Sequence, residues 1–152
     1  MTLDREQSTR YRGHISLCEI DIPGQEAISR GRVLIVGAGG LGSPVTLYLA
    51  AAGVGTIGIV DPDTVSLSNL QRQIMHGTPD IGRLKAESAR DAMTRINPGV
   101  NIELHTESLT AENARRLIGA YDITVDCTDN LATRLLINDM CVTEGKPLVF
   151  GS

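Results

Sequence analysis

The run VLIVGAGGLGSPVTLYLAAAG at residues 33–53 places a short apolar segment, a glycine-rich turn and a small-residue segment in immediate succession. Few architectures accept that order. Val33 to Val36 is apolar and rich in β-branched residues, which suits a strand buried on both faces of a parallel sheet. It leads into Gly37-Ala38-Gly39-Gly40-Leu41-Gly42, a G-x-G-x-x-G spacing. Such glycines let the backbone turn sharply and approach phosphates, and the N–H groups opening the next helix point to the same place. That helix is expected over Gly42 to Ala52, with small residues against the sheet and Gly53 as its stop. Thr56 to Val60 reads as a second strand ending in Asp61. The step from Gly42 to Asp61 is close to the ~20 residues that separate a glycine turn from a ribose-binding carboxylate. A solvated strand-end acid is the plain alternative for Asp61, but its setting is the one the motif requires.

The remaining chain keeps the alternation. Gly82 to Ile96 reads as a charged amphipathic helix stopped by Asn97-Pro98-Gly99, and Asn101 to His105 as a strand. Thr110 to Gly119 reads as a helix, Ile123 to Asp126 as a buried strand, Asn130 to Glu144 as a helix and Pro147 to Phe150 as a final strand. Five strands joined by helices predict an α/β fold. The expected form is a Rossmann-like, doubly wound, mainly parallel sheet with ligands at the carboxyl ends of its strands. Leu3 to Ile20 is expected to be a helix outside the sheet. The chain then divides into an N-terminal helical segment, 1–30, and a Rossmann-like nucleotide-binding domain, 31–152.

Composition agrees with that class. Aromatics are only 3% of the 152 residues and tryptophan is absent, so the core must be aliphatic. The net charge of −4 gives no general attraction to nucleic acid or to anionic membranes. No run approaches the ~20 apolar residues of a membrane span. The polar start MTLDREQSTR does not read as a secretory signal. Cys18, Cys127 and Cys141 form neither a C-x-x-C pair nor a disulfide framework, so a cytoplasmic, reduced protein is expected. Cys127 reads as core filling after a strand, Cys18 and Cys141 as helix-face packing. His14, His76 and His105 show no metal-ligand spacing.

Four features fall after strand ends or at helix starts, where this fold places ligands. They are Asp61, the loop Ser68-Asn69-Leu70-Gln71-Arg72-Gln73, Lys85, and Cys127-Thr128-Asp129-Asn130. Two cations and two carboxylates around a phosphate-binding turn suggest a triphosphate and a metal. Arg72 can fork onto phosphate oxygens and Lys85 can act on them as a point charge. Asp129 is placed to hold Mg²⁺, a hard ion that prefers carboxylate and phosphate oxygens. Asp126 is ambiguous, either capping the next helix or orienting the site.

The set RYRGH, GQEA, VLIVGAGGLG, VDPDTVSLSNLQRQ, GRLKAESA, INP, DCTDN and TR resembles the ThiF/MoeB family of ubiquitin-activating-type adenylyltransferases, from Arg10 to Gly151. SNLQRQ and DCTDN are far more specific than the glycines. SNLQRQ is more similar to activators of sulfur carriers than to the tRNA-modifying dehydratase branch. The resemblance implies ATP-dependent adenylation of the C-terminal glycine carboxylate of a ubiquitin-like sulfur-carrier protein, of the molybdopterin or thiamine type. It implies nucleotide contacts at Gly37, Gly39, Gly40, Gly42 and Asp61. Ser68, Asn69, Leu70, Gln71, Arg72 and Lys85 go to phosphates, and Asp129 and Asn130 to metal and nucleotide. Arg72, Lys85 and Asp129 are the implied catalytic set, with ATP and Mg²⁺ as cofactors and a homodimer as the assembly.

Two departures qualify this. The family places an arginine at the position of Gly13, reaching the neighbouring subunit's site, whereas the nearest cation here is Arg12. One residue is ~100° of rotation on a helix. The family's zinc-binding C-x-x-C pairs, transfer thiol and carrier-cradling strands also lie outside these 152 residues, so an adenylation half-site is expected. The alternatives are an NAD-dependent oxidoreductase domain, which the glycines and Asp61 serve equally well, and a nucleotide- or partner-binding piece without turnover. SNLQRQ and DCTDN have no task in the NAD reading.

Overall fold

The computed structural model describes residues 3–151. Three helices, α1 (Arg5–Arg10), α2 (Arg12–Ile15) and α3 (Asp21–Arg30), precede β1 (Arg32–Val36), α4 (Gly42–Ala52) and β2 (Thr56–Val60). Then follow α5 (Lys85–Ile96), β3 (Asn101–His105), α6 (Ala111–Gly119), β4 (Ile123–Asp126), α7 (Leu131–Glu144) and β5 (Leu148–Phe150). The strands form one sheet in the order β3-β2-β1-β4-β5, and every pairing is parallel. This is the expected Rossmann-like α/β sheet.

The pleat sorts the apolar strand residues onto two faces. Val33 and Ile35 of β1, with Ile57 and Ile59 of β2, pack against Ala50 of α4 and Ala86, Ala89 and Met93 of α5. Leu34, Val36 and Val60 point the other way, against Leu117 and Ile118 of α6 and Ile137 and Cys141 of α7. Burial on both faces is why β1 and β2 read as unbroken apolar runs. The strand order reverses between β1 and β4, which opens a crevice at their carboxyl ends. Among the described residues, no helix is long and apolar enough to cross a membrane.

Tyr121 is the largest fully buried side chain, and it lies over Gly58 in the middle of β2. A Cβ at Gly58 would overlap its ring and hydroxyl, the close approach that a strand glycine often marks. The Tyr121 hydroxyl donates to Glu103 Oε2 at 2.6 Å and lies 2.9 Å from His105 Nε2. Arg32 donates to both Glu103 oxygens at 3.1 and 3.0 Å, and its guanidinium sits 5.0 Å from the Tyr121 ring centroid. The Tyr121 bond, followed by Arg32, holds the Glu103 carboxyl below its ordinary pKa. Burial and the Glu103 bond raise the Tyr121 hydroxyl.

The N-terminal segment departs from the single helix expected over Leu3 to Ile20. Asp4 opens α1 with a capping box, accepting from Gln7 N at 2.8 Å. The chain then bends at Tyr11, whose ring fills the space above Gly53. Asn97 donates to the Tyr11 hydroxyl at 2.8 Å and to the Ala50 carbonyl at 2.9 Å. Tertiary docking of one aromatic thus overrides local helical continuity. A further helix, α3, follows, with Pro23 in its first turn, where the missing N–H is harmless. Cys18 is exposed outside any helix rather than packed on a helix face. The helix expected from Gly82 begins at Lys85, because Gly82 adopts φ +86° and Leu84 is extended.

Gly58→Ala is expected to lower the unfolding free energy by about 1–3 kcal/mol through overpacking against Tyr121. Gly13→Ala, with open space around the added carbon, serves as the control in urea unfolding. An unchanged midpoint for Gly58→Ala would mean that Tyr121 is not seated against β2.

Candidate functional site

A cavity of about 610 Å³ opens at the carboxyl ends of β1, β2 and β4. Its lining brings together Gly37, Gly39, Gly40, Asp61, Arg72, Lys85, Asp129 and Asn130. Gly42, Ser68, Asn69, Leu70 and Gln71 stand outside that lining. Gly42 instead seats α4 on the turn, where any Cβ would overlap the Gly37 carbonyl. Ser68 and Asn69 belong to a short 3-10 turn, Leu67–Asn69, which delivers Arg72 and Gln73 to the cavity wall.

The glycine turn is braced from below. Gly37 has φ +98°, and a Cβ there would come within 2.8 Å of the Cys127 carbonyl, so β1 turns tightly against the exit of β4. The next peptide is gripped at both ends. Ala38 N donates to Asp61 Oδ2 at 2.7 Å, and His76 Nε2 lies 3.0 Å from the Ala38 carbonyl. That carbonyl only accepts, so Nε2 donates to it, and Nδ1 lies 2.8 Å from Ser88 Oγ. The second Asp61 oxygen accepts from Asp63 N at 2.9 Å. Asp61 is 6% exposed, and two of its roughly four lone-pair sites are filled by backbone. The rest leave room for a ribose hydroxyl.

Two loops carry the charges. The loop after β2 is fastened to the segment before α5 by a bridge between Thr64 and Leu84, with Lys85 N donating to the Asp63 carbonyl at 2.9 Å. This sets Lys85 Nζ 2.9 Å from Asp63 Oδ2. Lys85 opens α5 and is 6% exposed. A helix N-terminus disfavours a cation, as does burial; Asp63 offsets both. The Arg72 chain runs beside Gly40, where a Cβ would come within 3.4 Å of Arg72 Cδ.

The turn after β4 has its own frame. Asp126 is 1% exposed, and its Oδ1 accepts from Thr128 N at 2.9 Å and Thr128 Oγ1 at 2.7 Å. Asp126 therefore orients this turn, while Asn130 caps α7 by accepting from Thr133 N at 2.9 Å. Arg134 donates twice to the Thr128 carbonyl, at 3.1 and 2.6 Å, and lies over the Phe150 ring. The result presents Asp129, exposed on the cavity wall.

Sequence reasoning gave no individual role to Asp63, Gln73, Thr128 or Arg134, all in the lining, although Gln73 and Thr128 lie in two of the segments it singled out. Asp63 had a visible signal as the second acid of VDPD. Arg134 stood in the TR of the resemblance, but its bond to Thr128 depends on how α7 leaves the turn.

A match to the ThiF family spans residues 11–152. The chain belongs to the ThiF family. It is 53% identical over 150 residues to a probable adenylyltransferase/sulfurtransferase, MoeZ, of Mycobacterium tuberculosis, covering 99% of this chain and 38% of that protein. It is 45% identical to a sulfur carrier protein adenylyltransferase of Thermus thermophilus, covering 100% of this chain and 56% of that protein. The chain thus spans roughly half or less of these relatives' length. Among solved structures, PaaA is 28% identical with a TM-score of 0.88, covering 99% of this chain and 49% of that one. TcdA of E. coli in complex with ATP shares the fold, with a TM-score of 0.90 at 24% identity, covering 99% of this chain and 61% of that one.

Cys127 lines the cavity of this ThiF-family chain but is no nucleophile at neutral pH. Burial, with Asp126 nearby, pushes its thiol up to about 11. At pH 8 roughly one molecule in a thousand carries the thiolate that reacts. Iodoacetamide at pH 8 is expected to label the exposed Cys18 and spare Cys127, read by peptide mass spectrometry. Labelling of Cys127 at the rate of Cys18 would contradict this.

Proposed function

We propose that the cavity binds Mg-ATP, and that this chain is the nucleotide half of an adenylyltransferase for a ubiquitin-like sulfur-carrier protein. The observation that carries the reading is the convergence of a braced glycine turn with Arg72, Lys85 and Asp129 in one cavity. The printed names of the MoeZ and Thermus relatives support the reaction class.

The chemistry suits these residues. A C-terminal carboxylate, pKa ~3.5, is already an anion at neutral pH and needs no general base. The barrier lies in bringing that anion to the α-phosphorus of a polyanion, so positioning and fixed positive charge supply the catalysis. The glycine turn offers backbone N–H groups, Arg72 a two-pronged donor, and Lys85 a charge held in place by Asp63. Among the described residues, no group of three or more His, Cys, Asp or Glu is arranged to hold a metal alone. Mg²⁺ commonly uses one or two carboxylates and completes its shell with phosphate and water. Asp129, exposed on the cavity wall just after β4, would hold the ion. The bound ion would neutralise phosphate charge.

The reading extends to assembly and setting. Leu131, Leu135 and Val142 lie exposed on one face of α7, and Val149 and Phe150 are exposed on β5. Exposed apolar surface of this kind favours cover by a partner, here a second copy in a homodimer. Arg12 follows Tyr11, which docks on Gly53 at the carboxyl end of α4, and the 11 residues of that helix span ~16 Å to the glycine turn. Its service at a nucleotide site therefore needs the neighbouring subunit. Three free cysteines suit the cytoplasm.

In a protein that includes the carrier-binding segment, Arg72→Ala and Lys85→Ala are each expected to slow carrier-dependent ATP–pyrophosphate exchange. Loss of a charge-assisted bond worth ~1.5–3 kcal/mol corresponds to at least tenfold. Asp129→Asn is expected to keep the melting temperature and raise the Mg²⁺ concentration required. Parent exchange rates and Mg²⁺ dependence in all three variants would refute the assignment.

A further inference from the structure

His76 is 6% exposed and stands outside the cavity lining, so the chemistry proposed above gives it no part. Its ring nevertheless joins two elements of that site. Nε2 donates to the Ala38 carbonyl at 3.0 Å, and Nδ1 lies 2.8 Å from Ser88 Oγ. Ala38 is fully buried within the glycine turn, and Ser88 lies on α5, one helical turn after Lys85. The ring is fixed from its own side. Met75 packs into the core, and the His76 N–H donates to the Gln73 carbonyl at 3.1 Å. The Ala38–Gly39 peptide is trans, and in a trans peptide the N–H points opposite to the carbonyl. A carbonyl drawn inward to His76 therefore turns the Gly39 N–H away from the buried ring. Among the described residues the Gly39 and Gly40 N–H groups have no acceptor, and both glycines line the cavity.

We infer that His76 is a positioning residue, which aims the Gly39 N–H into the cavity and holds the glycine turn at a fixed spacing from Lys85. This rests on the Mg-ATP reading above, and His76 itself touches no ligand. Glycines leave a backbone unusually free, so their amides converge on one point only when something outside the turn holds them. Asp61 fixes the peptide before Ala38 through the Ala38 N–H. His76 is the hold on the peptide after it. An imidazole suits the task, because a rigid ring carries a nitrogen toward each partner. The Ser88 contact makes α5 the base of the brace, so the turn and the helix that opens with Lys85 keep one register. Donors held in place before the ligand arrives need no reorganisation when it binds.

The test uses His76→Phe, which fills the space with a ring that donates nothing, and His76→Gln, whose amide nitrogen can still reach the Ala38 carbonyl. Mg-ATP affinity is measured by calorimetry well below the melting temperature of each protein, where a loss of global stability alone leaves affinity unchanged. Amide hydrogen exchange at residues 38–41 is followed without nucleotide. His76→Phe is expected to bind Mg-ATP about tenfold more weakly and to exchange these amides faster, through loss of one bond to a buried carbonyl. His76→Gln is expected to recover most of both. Should His76→Phe fail to fold, Ser88→Ala takes its place. It keeps the Ala38 bond, frees the ring and is expected to weaken binding about threefold. Parent affinity in His76→Phe, or in Ser88→Ala where that variant is used, would overturn the inference. Equal losses in His76→Gln and His76→Phe would also overturn it, because a donor to Ala38 would then not be what matters. A parent chain that binds no Mg-ATP would instead sink the underlying reading. The exchange comparison would then decide the brace alone, with faster exchange in His76→Phe supporting it and unchanged exchange overturning it.

Discussion

The buried carboxylate of Asp61 is the constraint on which the rest of the site depends. One oxygen takes the Ala38 N–H of the glycine turn and the other takes the Asp63 N–H of the next loop. A single side chain thus fixes the distance between the glycine turn and the loop that positions Lys85. Hydrogen bonds to an ionised acceptor are stronger than neutral ones, and burial makes leaving either unmade more costly. From Asp61 the order passes outward. Asp63 holds Lys85, His76 holds the Ala38 carbonyl, and Ser88 ties His76 to α5.

The polar side chains here are arranged at some cost to stability, as ligand-binding sites commonly are. Lys85 sits almost buried at the positive end of a helix, while Gln73 and Asp126 each keep a buried oxygen without a partner. Thr46 and Thr124, both fully buried, likewise keep hydroxyls without a partner among the described residues. The two faces of the core are filled by valine, isoleucine, leucine and alanine, with Tyr121 fitted over Gly58.

Much of this was legible in the sequence because it is locally encoded. The strand, turn, helix and strand from Arg32 to Val60 follow from apolar runs, glycine spacing and the stop at Gly53, which adopts φ +80°. Asp61, Arg72, Lys85 and Asp129 share one cavity because motif position and strand ends coincide in this fold. Long-range matters were not legible. Tyr11 breaks the N-terminal helix because its ring docks over Gly53, which no local pattern announces. The Arg134 bond to Thr128 and the orphaned amide of Gln73 appear only once the loops are folded against each other. The outer part of SNLQRQ shows a different limit. Ser68 to Gln71 carry a specific motif, yet the lining of this cavity begins at Arg72.

The measurement that bears most directly on this account is a paired calorimetric titration of the chain with Mg-ATP and, separately, with NAD. A braced glycine turn and Asp61 alone would serve either ligand. Arg72, Lys85 and Asp129 add value only for a triphosphate and its metal. The account predicts saturable one-to-one Mg-ATP binding that weakens when Mg²⁺ is chelated, with no comparable binding of NAD. Tight NAD binding with none for Mg-ATP would contradict it.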